Sequence, residues 1–299
     1  MLPVFGSGGT FKFQTALASC LSKPGSVFPL NDKTKTGLTP LTDLISLKNK
    51  KALITGSGTG IGKAIATRFA EAGADLELVD LNEETLNKVK EELQDFNVRI
   101  NTNKVDLSNK EQIDALWKKL EGNEPEILVN NAGIYPSKSF LKVDESFLQK
   151  VMNVNLNSVF WMCQQMIRRR IKRGGTIINT GSIEAVMPLK EGLSHYDISK
   201  AGVMVLSRAL ASEYGRKGFR INVLVPGGIW TQGTKSIARD ALKFNTNIVK
   251  SGIEYNLRTP MGRMGQPDEV ARMALVLASD LSSYMNGTLV VVDGGFLSA

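Results

Sequence analysis

Short apolar runs alternate along this chain with longer stretches in which apolar positions return at helical spacing. The runs begin near Ala52, Leu76, Arg99, Ile127, Thr176, Ile221 and Thr288, and the helical stretches follow Gly60, Asn82, Ser108, Phe147, Tyr196 and Pro267. Apolar runs with little polar alternation suit strands buried on both faces, and the helix-length segments between them suit parallel crossovers. The expected fold is therefore α/β: a doubly wound parallel sheet of about seven strands with helices on both faces. A chain of 299 residues can hold one domain or two. The unbroken alternation decides for a single domain from residue 47 to 299.

Residues 1–46 stand outside this pattern. They are rich in Gly, Ser, Thr and Pro and carry no Arg or Glu. They are expected to form an extension that is flexible or packs on a neighbouring subunit, and the lack of arginine argues against a transit peptide. Half of the net charge of +8 lies within the first 50 residues, so the charge is not the footprint of a nucleic-acid surface. The run Arg168, Arg169, Arg170, Lys172 and Arg173 falls at the end of a helical stretch, where cations suit the helix dipole, and it is expected to be solvated. No apolar stretch approaches the roughly 18 residues that cross a bilayer. Cys20 and Cys163 lack metal-ligand spacing and His195 is the only histidine, so no catalytic metal is expected. The default location is the cytoplasm.

Two local patterns carry chemistry. The run Ala52-Leu53-Ile54-Thr55 leads into Gly56-Ser57-Gly58-Thr59-Gly60-Ile61-Gly62, after which Ile61, Ile65, Phe69 and Ala72 recur at helical spacing. Glycines at a strand-to-helix turn let backbone amides and the helix N-terminus approach a pyrophosphate. Asp80 closes the next apolar run, where a carboxylate accepts hydrogen bonds from an adenosine ribose and repels a 2′-phosphate. Ser57, Thr59, Leu81 and Asn82 offer no compensating cation, which favours NAD over NADP. Downstream, Tyr196 and Lys200 are four residues apart and share one helix face. An ammonium beside a phenol is expected to lower the phenol's pKa and fit it for proton exchange with an alcohol or carbonyl.

Together these motifs resemble those of the short-chain dehydrogenase/reductase family. Thr55, Gly56, Gly60 and Gly62 match its glycine loop, and Asn130-Asn131-Ala132-Gly133 its Asn-Asn-Ala-Gly motif. Asn155, Ser182, Tyr196 and Lys200 match its catalytic asparagine, serine, tyrosine and lysine. Pro226-Gly227-Gly228-Ile229-Trp230-Thr231 and Val292-Asp293-Gly294-Gly295 match two later signatures. The resemblance covers the chain from about Leu47 and implies a Rossmann-type domain. Ser182 and Tyr196 are 14 residues apart, one more than the family's usual spacing, which leaves the intervening loop open.

The resemblance further implies that Tyr196 exchanges the proton, Lys200 binds the nicotinamide ribose, Ser182 bonds the substrate oxygen, and Asn155 completes a proton path through water. It implies cofactor contacts from Gly56, Ser57, Gly60, Ile61, Gly62, Asp80, Leu81, Asp106, Leu107, Asn131, Ala132, Gly133, Tyr196, Lys200, Pro226, Gly227, Ile229 and Thr231. The substrate wall is expected to combine Tyr135, Glu184, Met187, His195 and Trp230 with a lid near residues 231–258, whose cations can attract an acidic substrate. The expected reaction is hydride transfer between NAD and a secondary alcohol or ketone of a sugar, sugar acid, polyol or small hydroxy acid. An NADP-dependent 3-oxoacyl-type reductase and a silent dinucleotide sensor are the alternatives. The helices around Val159 and after Tyr196 resemble the family's subunit contacts and imply a homo-oligomer, a tetramer or dimer.

Overall fold

The computed structural model describes residues 37–231, 255 and 257–299. Residues Leu44–Ala299 form one unit that holds every element of the sheet. The strands are β1 (Lys51–Thr55), β2 (Asp75–Asp80), β3 (Ile100–Lys104), β4 (Ile127–Asn130), β5 (Gly175–Thr180), β6 (Phe219–Pro226) and β7 (Leu289–Val292). They pair in the order β3-β2-β1-β4-β5-β6-β7, and every pairing is parallel. The order reverses between β1 and β4, and open sheets of this kind bind ligands outside the carboxyl ends of the strands at such a reversal.

Burial explains why the apolar runs became strands. All residues of β1 and β4 are buried, as continuous runs require when helices cover both faces. Helices α1 (Gly60–Glu71), α2 (Glu83–Glu92) and α7 (Pro267–Ala278) supply one covering layer, with Ile65, Phe69, Leu86, Val270 and Leu277 in its core. On the other face lie α3 (Lys110–Lys119), α5 (Ser158–Arg170) and α6 (Ser194–Tyr214), packed around Trp117, Met162, Cys163 and Phe219. Arg68 on α1 ties the first layer together by a two-pronged pair with Asp268 on α7, at 2.6 and 2.9 Å.

Two expectations change. The helix expected after Phe147 starts earlier, as α4 (Glu145–Met152), and runs into α5 through a π-helical turn, Asn153–Asn157. The arginine run at the end of α5 is not uniformly solvated. Arg170 is buried, with its Nε donating to the Gly174 carbonyl at 2.8 Å, and Arg173 pairs with Glu124 at 2.6 Å. That cluster anchors the return of the chain into β5. The lid expected near 231–258 falls mostly outside the described residues.

Candidate active site

Among the described residues, those expected to bind or react lie at the carboxyl ends of β1 to β6 or on the segments and helices leading from them. The glycine loop follows β1. Ser57 is buried, its hydroxyl donating to the Val79 carbonyl at 3.3 Å. Added side chains have no room here: a Cβ on Gly56 would stand 2.8 Å from Ala132 Cα, and one on Gly62 would stand 2.1 Å from the Gly56 carbonyl oxygen. Gly60, in the left-handed region at φ +57°, opens α1. The residue before it, Thr59, makes no side-chain cap, so the amides of the first turn around Ile61 are left available to an anion.

Asn131 latches the loop to β4. Its side-chain amide donates to the carbonyls of Thr55 and Gly56 at 3.1 and 3.2 Å, while the Thr55 hydroxyl accepts from the backbone of Asn131 and Ala132. Asp80 ends β2, and its two oxygens accept from the amides of Gly58 at 2.9 Å and Asn82 at 3.1 Å. The carboxylate is thus fixed against the glycine loop, beside the exposed Leu81. Asp106 accepts from the amide and hydroxyl of Ser108, next to the buried Leu107. An uncapped helix terminus, a cradle without Cβ atoms and a strand-end carboxylate fit a dinucleotide: phosphates on Gly60 to Gly62, the adenosine ribose on Asp80.

The second half of the site is assembled by a buried polar network. Asn130 on β4 donates to Asn179 on β5 at 2.8 Å, and Asn179 donates to Ser207 on α6 at 2.9 Å. This fixes α6 against β5, and so Tyr196 and Lys200 against Ser182. Lys200 is buried and its Nζ donates to the Thr180 carbonyl at 2.8 Å. The π-helical turn carries Asn155 inward. Its Oδ1 accepts from the Ile134 amide at 2.8 Å, and its Nδ2 donates to the Ile134 carbonyl and to Ser199 Oγ. Gly133 borders this corner: a Cβ there would stand 3.4 Å from Asn155 Oδ1 and 3.5 Å from Lys200 Nζ, in ordinary contact with both.

Ser182 follows β5, its Oγ accepting from the Glu184 amide at 3.2 Å. A hydrogen bond with Ser182 favours ionisation of the Tyr196 phenol, but burial outweighs it and pushes that pKa up to about 12. This corrects the expectation that Lys200 lowers it. The Lys200 ammonium is 5.9 Å from the Tyr196 ring centroid and gives one of its three N–H groups to the Thr180 carbonyl. Burial brings Lys200 itself down to about 8.

Of the expected substrate wall, Tyr135 and Glu184 stand beside Tyr196. The rings of Tyr135 and Tyr196 meet edge to face at 4.6 Å, and the Tyr135 hydroxyl donates to Glu184 Oε1 at 3.2 Å. Met187 packs on the cluster of Ile183, Met204 and Phe296. His195 is buried, with Nε2 donating to the Pro136 carbonyl at 2.7 Å. Trp230 departs from expectation. It lines a groove with Gly60, Lys63, Phe96, Thr231 and Gln266, on the α1 and α7 side of the sheet. The turn that carries it is fixed by a bridge between Ile229 and Gly265.

Tyr255 was not foreseen. Its hydroxyl accepts from the Gly228 amide at 2.6 Å and its ring stacks on Phe296 at 4.7 Å, so it pins the turn after Pro226 and Gly227. A Cβ on Gly228 would fall 2.5 Å from that ring, which gives the Gly-Gly pair its reason. Nothing in the pattern around residue 255 signals this contact, because it joins segments distant in sequence.

Comparison with known proteins agrees with this geometry. A family model described as "Enoyl-(Acyl carrier protein) reductase" matches residues 56–297. The chain is 40% identical over 263 residues to the 2-dehydro-3-deoxy-D-gluconate 5-dehydrogenase of Bacillus subtilis, covering 86% of this chain and 98% of that one. It is also 40% identical over 254 residues to the 3-oxoacyl-[acyl-carrier-protein] reductase of Chlamydia pneumoniae, covering 84% and 98%. Among solved structures, a gluconate 5-dehydrogenase from Burkholderia cenocepacia in complex with NADP and tartrate matches with a TM-score of 0.78 and 32% identity, over 86% of this chain and 99% of that chain.

Proposed function

The chain belongs to the short-chain dehydrogenase/reductase family, oxidoreductases acting on alcohols and ketones, and from that premise we propose that it moves hydride between NAD and a sugar, sugar acid, polyol or small hydroxy acid. The observation that carries the reading is the meeting of Tyr196, Ser182 and Lys200 beyond the end of β5, across the sheet reversal from the glycine loop. When bound, the nicotinamide supplies the carbon that accepts or returns hydride. Tyr196 takes the alcohol proton, or returns it to the carbonyl. Ser182 bonds the same oxygen and stabilises charge developing there. Lys200 would hold the nicotinamide ribose, and Asn155 holds the backbone at Ile134 and the start of α6 in register.

Asp80 supports NAD over NADP, because a 2′-phosphate would meet its carboxylate. The Burkholderia structure carries NADP, and the Chlamydia relative is a 3-oxoacyl reductase, which makes an NADP-dependent ketone reductase the second reading. We further propose a homo-oligomer that draws on the cytoplasmic dinucleotide pool, with the exposed Phe160 of α5 and Val205 of α6 as subunit contacts. Tyr196→Phe tests the central role. It is expected to lower turnover by about 10²-fold or more while NAD still binds; a variant with a near-normal rate refutes the assignment.

A further inference from the structure

Four groups close a ring around the place where a substrate oxygen would sit. Ser182 stands near enough to the Tyr196 phenol to favour its ionised form; the Tyr196 ring meets Tyr135 at 4.6 Å; the Tyr135 hydroxyl donates to Glu184 Oε1 at 3.2 Å; and the Glu184 amide returns to Ser182 Oγ at 3.2 Å. The second oxygen of Glu184 accepts from the Leu189 amide at 2.9 Å. Glu184 is buried, whereas Tyr135 is 38% exposed. The hydrogen-bonding sense of this ring is one-sided. Tyr135 has spent its only donor on Glu184, and a carboxylate has none to give. The half of the ring away from Tyr196 and Ser182 therefore presents acceptors only.

We propose that the Tyr135–Glu184 pair selects the substrate by its neighbouring carbon: it admits an alcohol with a hydroxyl beside the reacting carbon and rejects one with a carboxylate there. This rests on the oxidoreductase reading above and narrows it, removing simple alpha-hydroxy acids from the substrate class. A neighbouring hydroxyl donates into the acceptors, whereas a neighbouring carboxylate brings a second acceptor set and a like charge into a buried corner. Asp197, on the same turn of α6 and with Oδ1 buried and unpartnered, adds to that negative field. Of the nearby cations, Lys200 gives its Nζ to the Thr180 carbonyl, and two others border the wall away from Tyr196 in sequence. Lys190 Nζ is 5.9 Å from the centroid of the Tyr135 ring, and the exposed Arg258 reaches Met187 at 3.5 Å. A sugar acid whose carboxylate lies several carbons from the reacting one thus escapes the rejection.

The test uses the full chain with NAD and three four-carbon secondary alcohols: a vicinal diol, the mono-alcohol and the alpha-hydroxy acid. The wild type is expected to favour the diol over the hydroxy acid by about a hundredfold in kcat/KM, with the mono-alcohol between them. Glu184→Gln, which adds a donor and removes the charge, is expected to shrink that ratio at least about tenfold while NAD affinity, followed by fluorescence, is unchanged. Tyr135→Phe keeps the ring on Tyr196 and leaves the carboxylate, and is expected to retain rejection of the hydroxy acid. A wild-type ratio near one, a ratio unmoved by Glu184→Gln, or loss of discrimination in Tyr135→Phe alone overturns the proposal and leaves the oxidoreductase reading intact. Oxidation of the hydroxy acid alone among the three overturns the proposal, whereas failure to oxidise these three and a panel of polyols and sugar acids as well removes the oxidoreductase reading itself.

Discussion

Gly62→Ala puts the glycine loop to the most direct physical test. A methyl at this position would stand 2.1 Å from the Gly56 carbonyl oxygen and 2.6 Å from Asn131 Nδ2. Both are fixed: the carbonyl is backbone, and Asn131 is held by two hydrogen bonds to the loop. Relief requires α1 to retreat from β1 by about 1 Å, and overpacking of this kind costs about 1–3 kcal/mol. The retreat also stretches the Asn131 bond to Gly56, worth about 1 kcal/mol more. The expected loss is about 2–4 kcal/mol, a fall in Tm of roughly 5–15 °C for a unit of this size. Because the first amides of α1 move with the helix, NAD affinity is expected to fall at least about tenfold. Gly60→Ala is the control, since its methyl meets only the Thr231 side chain, Cγ2 at 3.5 Å and Cβ at 3.6 Å, and its φ of +57° costs about 1–2 kcal/mol alone. Calorimetry with NAD titration decides. A Gly62→Ala protein that melts within a degree of wild type and binds NAD as tightly, or a Gly60→Ala protein that is hurt more, refutes the argument.

Asp80→Ala removes the carboxylate that Gly58 and Asn82 hold at the end of β2, and is expected to raise kcat/KM with NADP relative to NAD by about tenfold or more. An unchanged ratio under steady-state kinetics would move the selectivity elsewhere. Asp197 carries a pH-dependent cost. Burial, with Glu184 adding, raises its carboxyl from 3.8 to about 6, so the folded state binds a proton more tightly than the unfolded. The penalty is absent below pH 3.8, grows as pH rises toward 6, and is full above it. With its partial exposure discounted for solvent screening, Asp197→Asn is expected to stabilise the protein at pH 7 by on the order of 1 kcal/mol, and by almost nothing near pH 4. Urea denaturation at the two pH values checks this; a gain equal at both would assign it to packing.

What the sequence disclosed, and what it hid, divides along a physical line. The sheet was legible because strands buried on both faces are continuous apolar runs, and the glycine loop because backbone clashes leave only glycine at Gly56 and Gly62. Convergence of Asn155, Ser182, Tyr196 and Lys200 was reachable through motif spacing, since each lies at a strand's end or on the helix beyond it. Contacts set by tertiary packing were not reachable. The turn that swings Asn155 inward is a local widening of a helix whose sequence reads as unbroken. Tyr255 touches Gly228 across 27 positions, and Arg170 is buried because Glu124 and Glu126 come to meet it.

Burial of the Tyr196 phenol bears on how the site works. An i, i+4 ammonium lowers a neighbour's pKa only if it stands close to the titrating oxygen and its attraction exceeds the cost of burying the charge. Here both groups are buried, so each suffers its own desolvation, in opposite directions: the phenol rises to about 12 and the amine falls to about 8. At pH 7 a phenol of that pKa is overwhelmingly protonated. The charges of Glu184 and Asp197 add to this, and within the chain Ser182 opposes it. The resting protein therefore presents a proton donor, ready to protonate a carbonyl oxygen, and the reverse direction must find its base through alkaline pH or the positive charge that an oxidised nicotinamide brings. Glu184 then has two effects from one position: it holds the phenol protonated, and its acceptor oxygens favour a neighbouring hydroxyl. Glu184→Gln should move the pH dependence of oxidation and the substrate preference together, a coupling that a residue serving only to support the loop would not produce.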